Sequence, residues 1–183
     1  MTRCVALLRG INVGRAKRVP MAGLRGLLEK LGYTDVRTVL NSGNAVFQAP
    51  RPGVGRMARE IEAALESRFG FPVPVIVLTA RELDDIVAGN TLRRAGRDPS
   101  RLLVAFVAGR AALAEARTLL VKSWTPDALA VGDRAAYLWC AGGIIESKLM
   151  QAFTRATGEA ATTRNWATVL KLQAAAGTGE DAG

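Results

Sequence analysis

The stretch Leu7-Leu8-Arg9-Gly10-Ile11-Asn12-Val13-Gly14 joins a short apolar run to a basic loop that contains two glycines. The run from Arg3 to Leu8 is short and apolar, which predicts a buried β-strand that ends before Gly10. The loop continues through further basic residues to Pro20, a residue that suits the first turn of a helix. Strand, basic loop and helix therefore begin an α+β unit, and the loop is the first candidate site.

The rest of the first half predicts one ferredoxin-like unit. Leucines at helical spacing follow Pro20 and end at Gly32, and Asn41-Ser42-Gly43-Asn44 has the composition of a tight hairpin turn. Thr79 and Glu82 have the spacing of a capping box. The predicted elements are a helix from Pro20 to Leu31, strands at 36–40 and 45–48, a helix at 57–69, a strand at 73–78 and a short helix from Thr79 to Val87.

The same order of elements recurs after a connector that is rich in helix breakers. The predicted elements are a strand at 102–107, a helix at 111–121, strands at 129–131 and 135–139, a helix at 144–156, a strand at 160–163 and a helix at 166–175. The fold class is therefore α+β, with two tandem ferredoxin-like βαββαβ units, each with an antiparallel sheet and a trailing helix. The predicted domains are 1–89 and 102–176, with a connector at 90–101 and a disordered, glycine-rich tail at 177–183.

Composition narrows the chemistry. The chain has 183 residues, 49% of them hydrophobic, and no apolar run near the roughly 20 residues that cross a bilayer, so we expect a cytoplasmic protein without a membrane partner. Two cysteines and no histidine give no zinc pattern and no disulfide framework, so no metal or cofactor is expected. The net charge of +9 favours anionic partners, although a compositional bias towards arginine explains it equally well.

Topology places the basic loop beside the first hairpin turn. In a ferredoxin-like sheet the first and second strands are parallel, so the loop after the first strand and the turn after the second emerge at the same end. This edge collects polar and basic residues with no acid among them: Arg9, Asn12, Arg15, Lys17, Arg18, Asn41, Ser42 and Asn44. Because no capping side chain precedes Pro20, the start of the helix adds exposed N–H groups, and together these features predict an anion site. A solvated loop beside an ordinary turn is the simpler interpretation.

In the second half, polar residues gather at the opposite end of the sheet. Gly142-Gly143 precedes the predicted helix at 144–156, and the last strand exits near Trp166. The candidate ligand-binding residues here are Ser147, Lys148, Arg164 and Asn165. The simpler interpretation is that Asn165 caps the last helix and that Trp166 anchors it.

Five separated blocks follow one another along the chain: Leu8-Arg9-Gly10-Ile11-Asn12-Val13-Gly14, Val19-Pro20-Met21, Ser42-Gly43-Asn44, Ser147-Lys148-Leu149, and Thr163-Arg164-Asn165-Trp166 with Thr168-Val169-Leu170. They resemble the recurrent blocks of DUF1697, a bacterial family of unknown function, in the same order. The resemblance implies the duplicated α+β fold and no particular reaction. The chain departs from the family pattern at Arg15-Ala16-Lys17-Arg18 and at Glu146, which places a negative charge beside the second edge.

Three functions remain open. The leading hypothesis is a protein that binds a nucleotide or a phosphorylated or carboxylated metabolite at the first edge, with Arg9 as a bidentate clamp. The second is a nucleic-acid module that contacts only the backbone, because the first strand has no aromatic residue and the third offers only Phe47 for base stacking. The third is an enzyme without histidine, in which Lys148 would need burial to become reactive.

Overall fold

The computed structural model describes residues 1–50, 53–94 and 97–177. On the spacing of Cα atoms, these residues form two compact units. Unit 1 comprises Met1–Asp84 with the described residues from Lys171 onward, and unit 2 comprises Asp85–Leu170. The domain boundaries proposed at 89 and 102 stay predictions, and most of the proposed tail, residues 178–183, lies outside the described residues.

The first sheet has the strand order of a ferredoxin-like unit. The elements are β1 (Thr2–Leu8), α1 (Met21–Lys30), β2 (Thr34–Thr38), β3 (Asn44–Ala49), α2 (Val54–Phe69), β4 (Val75–Thr79) and α3 (Ala80–Ala88). The strand order is β2-β3-β1-β4 and every neighbouring pair is antiparallel. Strands β1 and β2 therefore run in the same direction on either side of β3, as predicted.

Alternating side chains on the strands give the first sheet an apolar face that packs against α1 and α2. Cys4, Ala6 and Leu8 on β1 and Phe47 on β3 are buried in one cluster with the apolar faces of α1 and α2. The leucines at helical spacing on α1 supply the matching face. The start of α3 also follows its sequence: the N–H of Thr79 donates to Glu82 Oε2 at 2.9 Å and the N–H of Glu82 donates to Thr79 Oγ1 at 3.2 Å. The predicted capping box is confirmed.

The second sheet repeats the first. Its elements are β5 (Leu102–Val107), α4 (Arg110–Thr118), a 3-10 turn (Leu119–Val121), β6 (Ala128–Val131), β7 (Ala135–Trp139), α5 (Lys148–Thr157), a 3-10 turn (Gly158–Ala160), β8 (Ala161–Asn165) and α6 (Trp166–Ala176). The order β6-β7-β5-β8 is again antiparallel throughout. The predicted α+β fold with a duplicated ferredoxin-like arrangement is confirmed.

Several predicted boundaries were wrong. Helix α5 begins at Lys148 and not at Ile144, because the Ser147 side chain accepts the N–H of Met150 and caps the helix there. Residues 144–146 form a turn before the N-cap Ser147, so Gly142-Gly143 does not lead directly into a helix. In addition, α4 gives way to a 3-10 turn after Thr118, and β8 extends to Asn165. These differences fall where side-chain caps and local turns override apolar spacing.

Candidate functional site

Asn12 organises the basic loop between β1 and α1. Its Oδ1 accepts the N–H of Val19 at 2.9 Å, and its Nδ2 donates to the carbonyl oxygen of Val19 at 2.9 Å. The N–H of Asn12 donates to the carbonyl oxygen of Lys17 at 3.1 Å. The side-chain amide thus pairs with Val19 as a neighbouring backbone peptide would. Asn12 has a φ of 56°, a left-handed conformation that asparagine tolerates better than most residues. The loop is therefore held closed at its base.

The same side chain joins the loop to the hairpin turn. Nδ2 of Asn12 also donates to the carbonyl oxygen of Asn41 at 2.8 Å. Below this contact, the N–H of Leu8 donates to the carbonyl oxygen of Gly43 at 2.8 Å. A Cβ at Gly43, where φ is +86°, would lie 2.8 Å from both Ile11 Cδ1 and Leu8 Cβ. The loop therefore packs against the turn so closely that only glycine fits, and the predicted adjacency of loop and turn is confirmed.

The predicted residues of the first edge divide into two groups. Arg15, Lys17 and Arg18 are exposed, as are Asn41 and Ser42. None of the three cations forms an ion pair with a described carboxylate. The exposed cations therefore remain available for contact with an anion.

The other members of this edge hold the backbone. Asn44 is buried, and its Nδ2 donates to the carbonyl oxygen of Val39 at 2.8 Å and to Ser42 Oγ at 2.9 Å. The backbone N–H of Arg9, which is partly buried, donates to the carbonyl oxygen of Pro74 at 2.9 Å. Asn12 and Asn44 thus have structural roles that polar composition alone did not reveal. That the edge binds a ligand stays a prediction.

The start of α1 adds to the positive character of this edge. Pro20 occupies the N-cap position, and no side chain caps the helix there. The first turn of α1 contains no acidic residue. Backbone N–H groups at a helix start carry a partial positive charge that acts within about one turn. Only a few residues of the chain separate the exposed loop cations from the start of α1.

In unit 2, Ser147 has a structural environment. Its Oγ donates to Asp127 Oδ2 at 2.7 Å while it accepts the N–H of Met150 at 3.0 Å. The other oxygen of Asp127, Oδ1, accepts the N–H of Ala141 at 2.8 Å. The hydroxyl therefore ties helix α5 to the loop before β6. Sequence reasoning missed Asp127, since it lies twenty positions before Ser147 and belongs to no motif.

The remaining candidates of the second edge differ in burial and in their hydrogen-bond partners. Lys148 is exposed on the first turn of α5, so it lacks the burial that an activated lysine requires. Arg164 is buried, and its Nη1 donates to Thr162 Oγ1 at 2.8 Å and to the carbonyl oxygen of Thr163 at 2.9 Å. Burial lowers the pKa of Arg164 to about 10. Asn165 Oδ1 accepts the N–H of Thr168 at 2.9 Å, so the simpler interpretation of Asn165 as a cap for α6 is confirmed.

The two thiols lie in the cores. Cys4 lies on β1, and burial, with a smaller contribution from the charge of Glu82, raises its pKa to about 11. Burial also raises the pKa of Cys140, which lies immediately after β7. A raised pKa leaves little thiolate at neutral pH, so neither thiol has the environment of a nucleophile. Among the described residues, no group of three or more cysteine and carboxylate side chains could hold a metal ion.

Most aromatic side chains on the described strands are buried. Phe47 is buried against Tyr33, with the ring centroids 4.6 Å apart. The β1 side chains that alternate with the α1 and α2 cluster, Val5 and Leu7, are buried as well. In unit 2, Tyr137 is buried and its hydroxyl donates to the carbonyl oxygen of Ile86 at 2.6 Å. Trp139 on β7 is only partly buried, and the guanidinium carbon of Arg97 lies 4.7 Å from its ring centroid. Among the described strands, those of the first sheet therefore lack the exposed aromatic side chains on which RNA-recognition motifs stack bases.

Comparison with known proteins supports the fold. Residues 1–137 match the model of a family described as a protein of unknown function, DUF1697. The chain belongs to the DUF1697 family. This DUF1697 protein is also similar in structure to the conserved bacterial protein SP0830 from Streptococcus pneumoniae, with a TM-score of 0.74, 21% sequence identity, and coverage of 96% of this chain and 99% of that chain.

The other comparisons add limits. No curated protein matches this DUF1697 chain. Across the described residues, every helix is too short or too polar to cross a bilayer.

Proposed function

We propose that this DUF1697 protein binds a small anionic ligand, a nucleotide or a phosphorylated or carboxylated metabolite, at the edge formed by the loop Arg9–Val19 and the turn Asn41–Asn44. We call this edge the basic edge. One observation carries the proposal: hydrogen bonds from the Asn12 side chain hold a loop whose exposed cations lie beside the uncapped start of α1.

The charge pattern at the basic edge supports an anionic ligand. Arg15, Lys17 and Arg18 are exposed, and neither the loop nor the turn contains an acidic residue. Guanidinium groups donate two parallel hydrogen bonds to carboxylate or phosphate, and a lysine adds a point charge. Backbone N–H groups at the start of α1 could complete the shell around an oxyanion.

The fixed loop backbone supports binding rather than nonspecific attraction. A loop that is already closed loses less conformational entropy when it takes up a ligand. The hydrogen bond of Asn12 to Asn41 fixes the loop on one side. The close packing of Gly43 against Ile11 fixes it on the other. In this proposal Arg9, at the start of the loop, acts as a bidentate clamp, and Asn41 and Ser42 orient the ligand.

The test measures the thermal unfolding midpoints of wild type and two variants in the presence of phosphate- and carboxylate-bearing metabolites. Inorganic pyrophosphate is the simplest probe. Wild type should be stabilised by some members of the panel, and the triple variant Arg15→Gln/Lys17→Gln/Arg18→Gln should lose the shift. The control, Lys30→Gln/Arg59→Gln/Arg81→Gln, removes the same charge from exposed positions of unit 1 and should keep it. Equal loss in both variants, or no shift in wild type, would overturn the proposal.

The same cations would also attract a nucleic-acid backbone, which makes that function the alternative. Such binding would be sequence-independent and would weaken steeply as salt rises. Fluorescence anisotropy with a labelled single strand at low and at physiological salt separates the two. The proposed small-ligand site predicts weak strand binding that free pyrophosphate displaces, whereas tight strand binding that resists pyrophosphate would favour the alternative.

A further inference from the structure

Leu40 combines two features that are each unfavourable for the isolated protein. Its φ is +59°, the left-handed region that costs a leucine conformational energy. Leu40 is also 48% exposed, so burial in the core does not offset that energy. Asparagine or glycine would occupy this position at lower cost. A strained and exposed leucine is therefore a candidate for an apolar contact with a ligand.

Val13 is a second exposed apolar residue next to the contact between loop and turn. It is 75% exposed and directly follows Asn12, whereas Leu40 directly precedes Asn41. The 2.8 Å hydrogen bond from Asn12 Nδ2 to the Asn41 carbonyl oxygen therefore brings the backbones beside both residues together. Two exposed apolar residues thus flank the junction between loop and turn.

The loop that carries Val13 also carries three exposed cations. Arg15, Lys17 and Arg18 follow Val13 on the loop, and no acidic residue lies between positions 9 and 20 or between 39 and 44. An anion without an apolar part would use the cations and leave Val13 and Leu40 in water. A ligand with an anionic end and an apolar or aromatic body would use both.

From this juxtaposition we propose that the ligand of the basic edge is a nucleotide, with its phosphates on the loop cations and its base against Leu40 and Val13. The inference rests on the proposed function and narrows it from anions in general to this class. The charges select the phosphates, and the base gains contact with two apolar side chains that are otherwise in water. Leu40 then determines how much more tightly the site binds a nucleotide than the phosphate groups alone.

The experiment compares the affinities of ADP and pyrophosphate, measured by calorimetry on the full chain. Wild type should bind ADP about tenfold more tightly than pyrophosphate, the size expected when two apolar side chains become partly buried. Leu40→Asn should bring this ratio close to one without weakening pyrophosphate binding. It should also raise the unfolding midpoint, because asparagine suits the left-handed backbone. A purely structural role for Leu40 would lower the midpoint and leave the ratio unchanged.

Two further variants complete the test. Val13→Ser should lower the ratio in the same direction, and Leu31→Asn, at an exposed leucine with ordinary backbone angles at the end of α1, should leave it unchanged. A wild-type ratio near one would overturn this inference and leave the proposed function standing, whereas failure of both probes to bind would reject the proposed function itself. Binding to anionic phospholipid vesicles that needs Leu40, without a preference for ADP, would also overturn the nucleotide assignment.

Discussion

The Nδ2 atom of Asn12 lies 2.8 Å from the carbonyl oxygen of Asn41, 29 residues further along the chain. This hydrogen bond joins the loop after the first strand to the turn after the second. Since the same amide also pairs with both backbone groups of Val19, one side chain fixes the base of the loop and its position against the turn. The arrangement of the basic edge depends on it.

Replacement of Asn12 should therefore destabilise the protein and weaken anion binding together. Asn12→Ala removes three hydrogen bonds, and at about 1 kcal/mol each we expect the free energy of unfolding to fall by about 2 to 4 kcal/mol. Asn12→Gly removes the same bonds but relieves the left-handed backbone, so it should recover about 1 kcal/mol of that loss. Urea denaturation measures both. A loss below about 0.5 kcal/mol for Asn12→Ala would show that the amide does not hold the loop.

The contact between the loop and Gly43 predicts a second effect. In Gly43→Ala the new methyl group would lie 2.8 Å from Ile11 Cδ1 and from Leu8 Cβ, on a backbone with a φ of +86°. Overpacking and backbone strain together should cost about 2 to 4 kcal/mol. Gly10→Ala is the matched control, because φ there is +69° and no atom lies within 4 Å, so only the conformational cost of about 1 kcal/mol applies. Equal losses in thermal unfolding would argue against tight packing of loop and turn.

Ser147 should behave as a helix cap that is coupled to Asp127. Ser147→Ala should lower the free energy of unfolding by about 1 to 2 kcal/mol, because the N–H of Met150 loses its acceptor and Asp127 loses a donor. In a double-mutant cycle with Asp127→Ala, the two effects should fall short of additivity by at least about 0.5 kcal/mol. Additive losses in chemical denaturation would mean that the two side chains act independently.

Stability should decline at alkaline pH. The pKa of Cys4 rises from 9.0 to about 11 on burial, so the folded state keeps its proton where the unfolded chain releases it. This contribution is complete below about pH 9 and is lost as the pH rises through about 11. Burial raises the pKa values of Tyr33 and Tyr137 to about 12, which extends the decline upward. In denaturant titrations, Cys4→Ala should be less stable at neutral pH but should show a shallower decline, and an unchanged slope would contradict the assignment.

The sequence contains enough information to predict the fold but not the inner structure of the site. Apolar spacing and turn composition predicted the order of strands and helices, and the Thr79–Glu82 pair fixed the start of α3. These are local signals. The hydrogen bonds of Asn12 to Val19 and Asn41, and the pairing of Ser147 with Asp127, depend on segments that only the folded chain brings together. For that reason the start of α5 and the strain at Leu40 were not predictable.

Anion binding at the basic edge is tested most directly by titrating isotope-labelled protein with pyrophosphate and following the amide chemical shifts. We expect saturable shifts confined to the loop Arg9–Val19, the first turn of α1 and the turn Asn41–Asn44, and their loss in Arg15→Gln/Lys17→Gln/Arg18→Gln. Shifts that do not saturate and are scattered over basic residues of both units, or none in these three segments, would contradict the account.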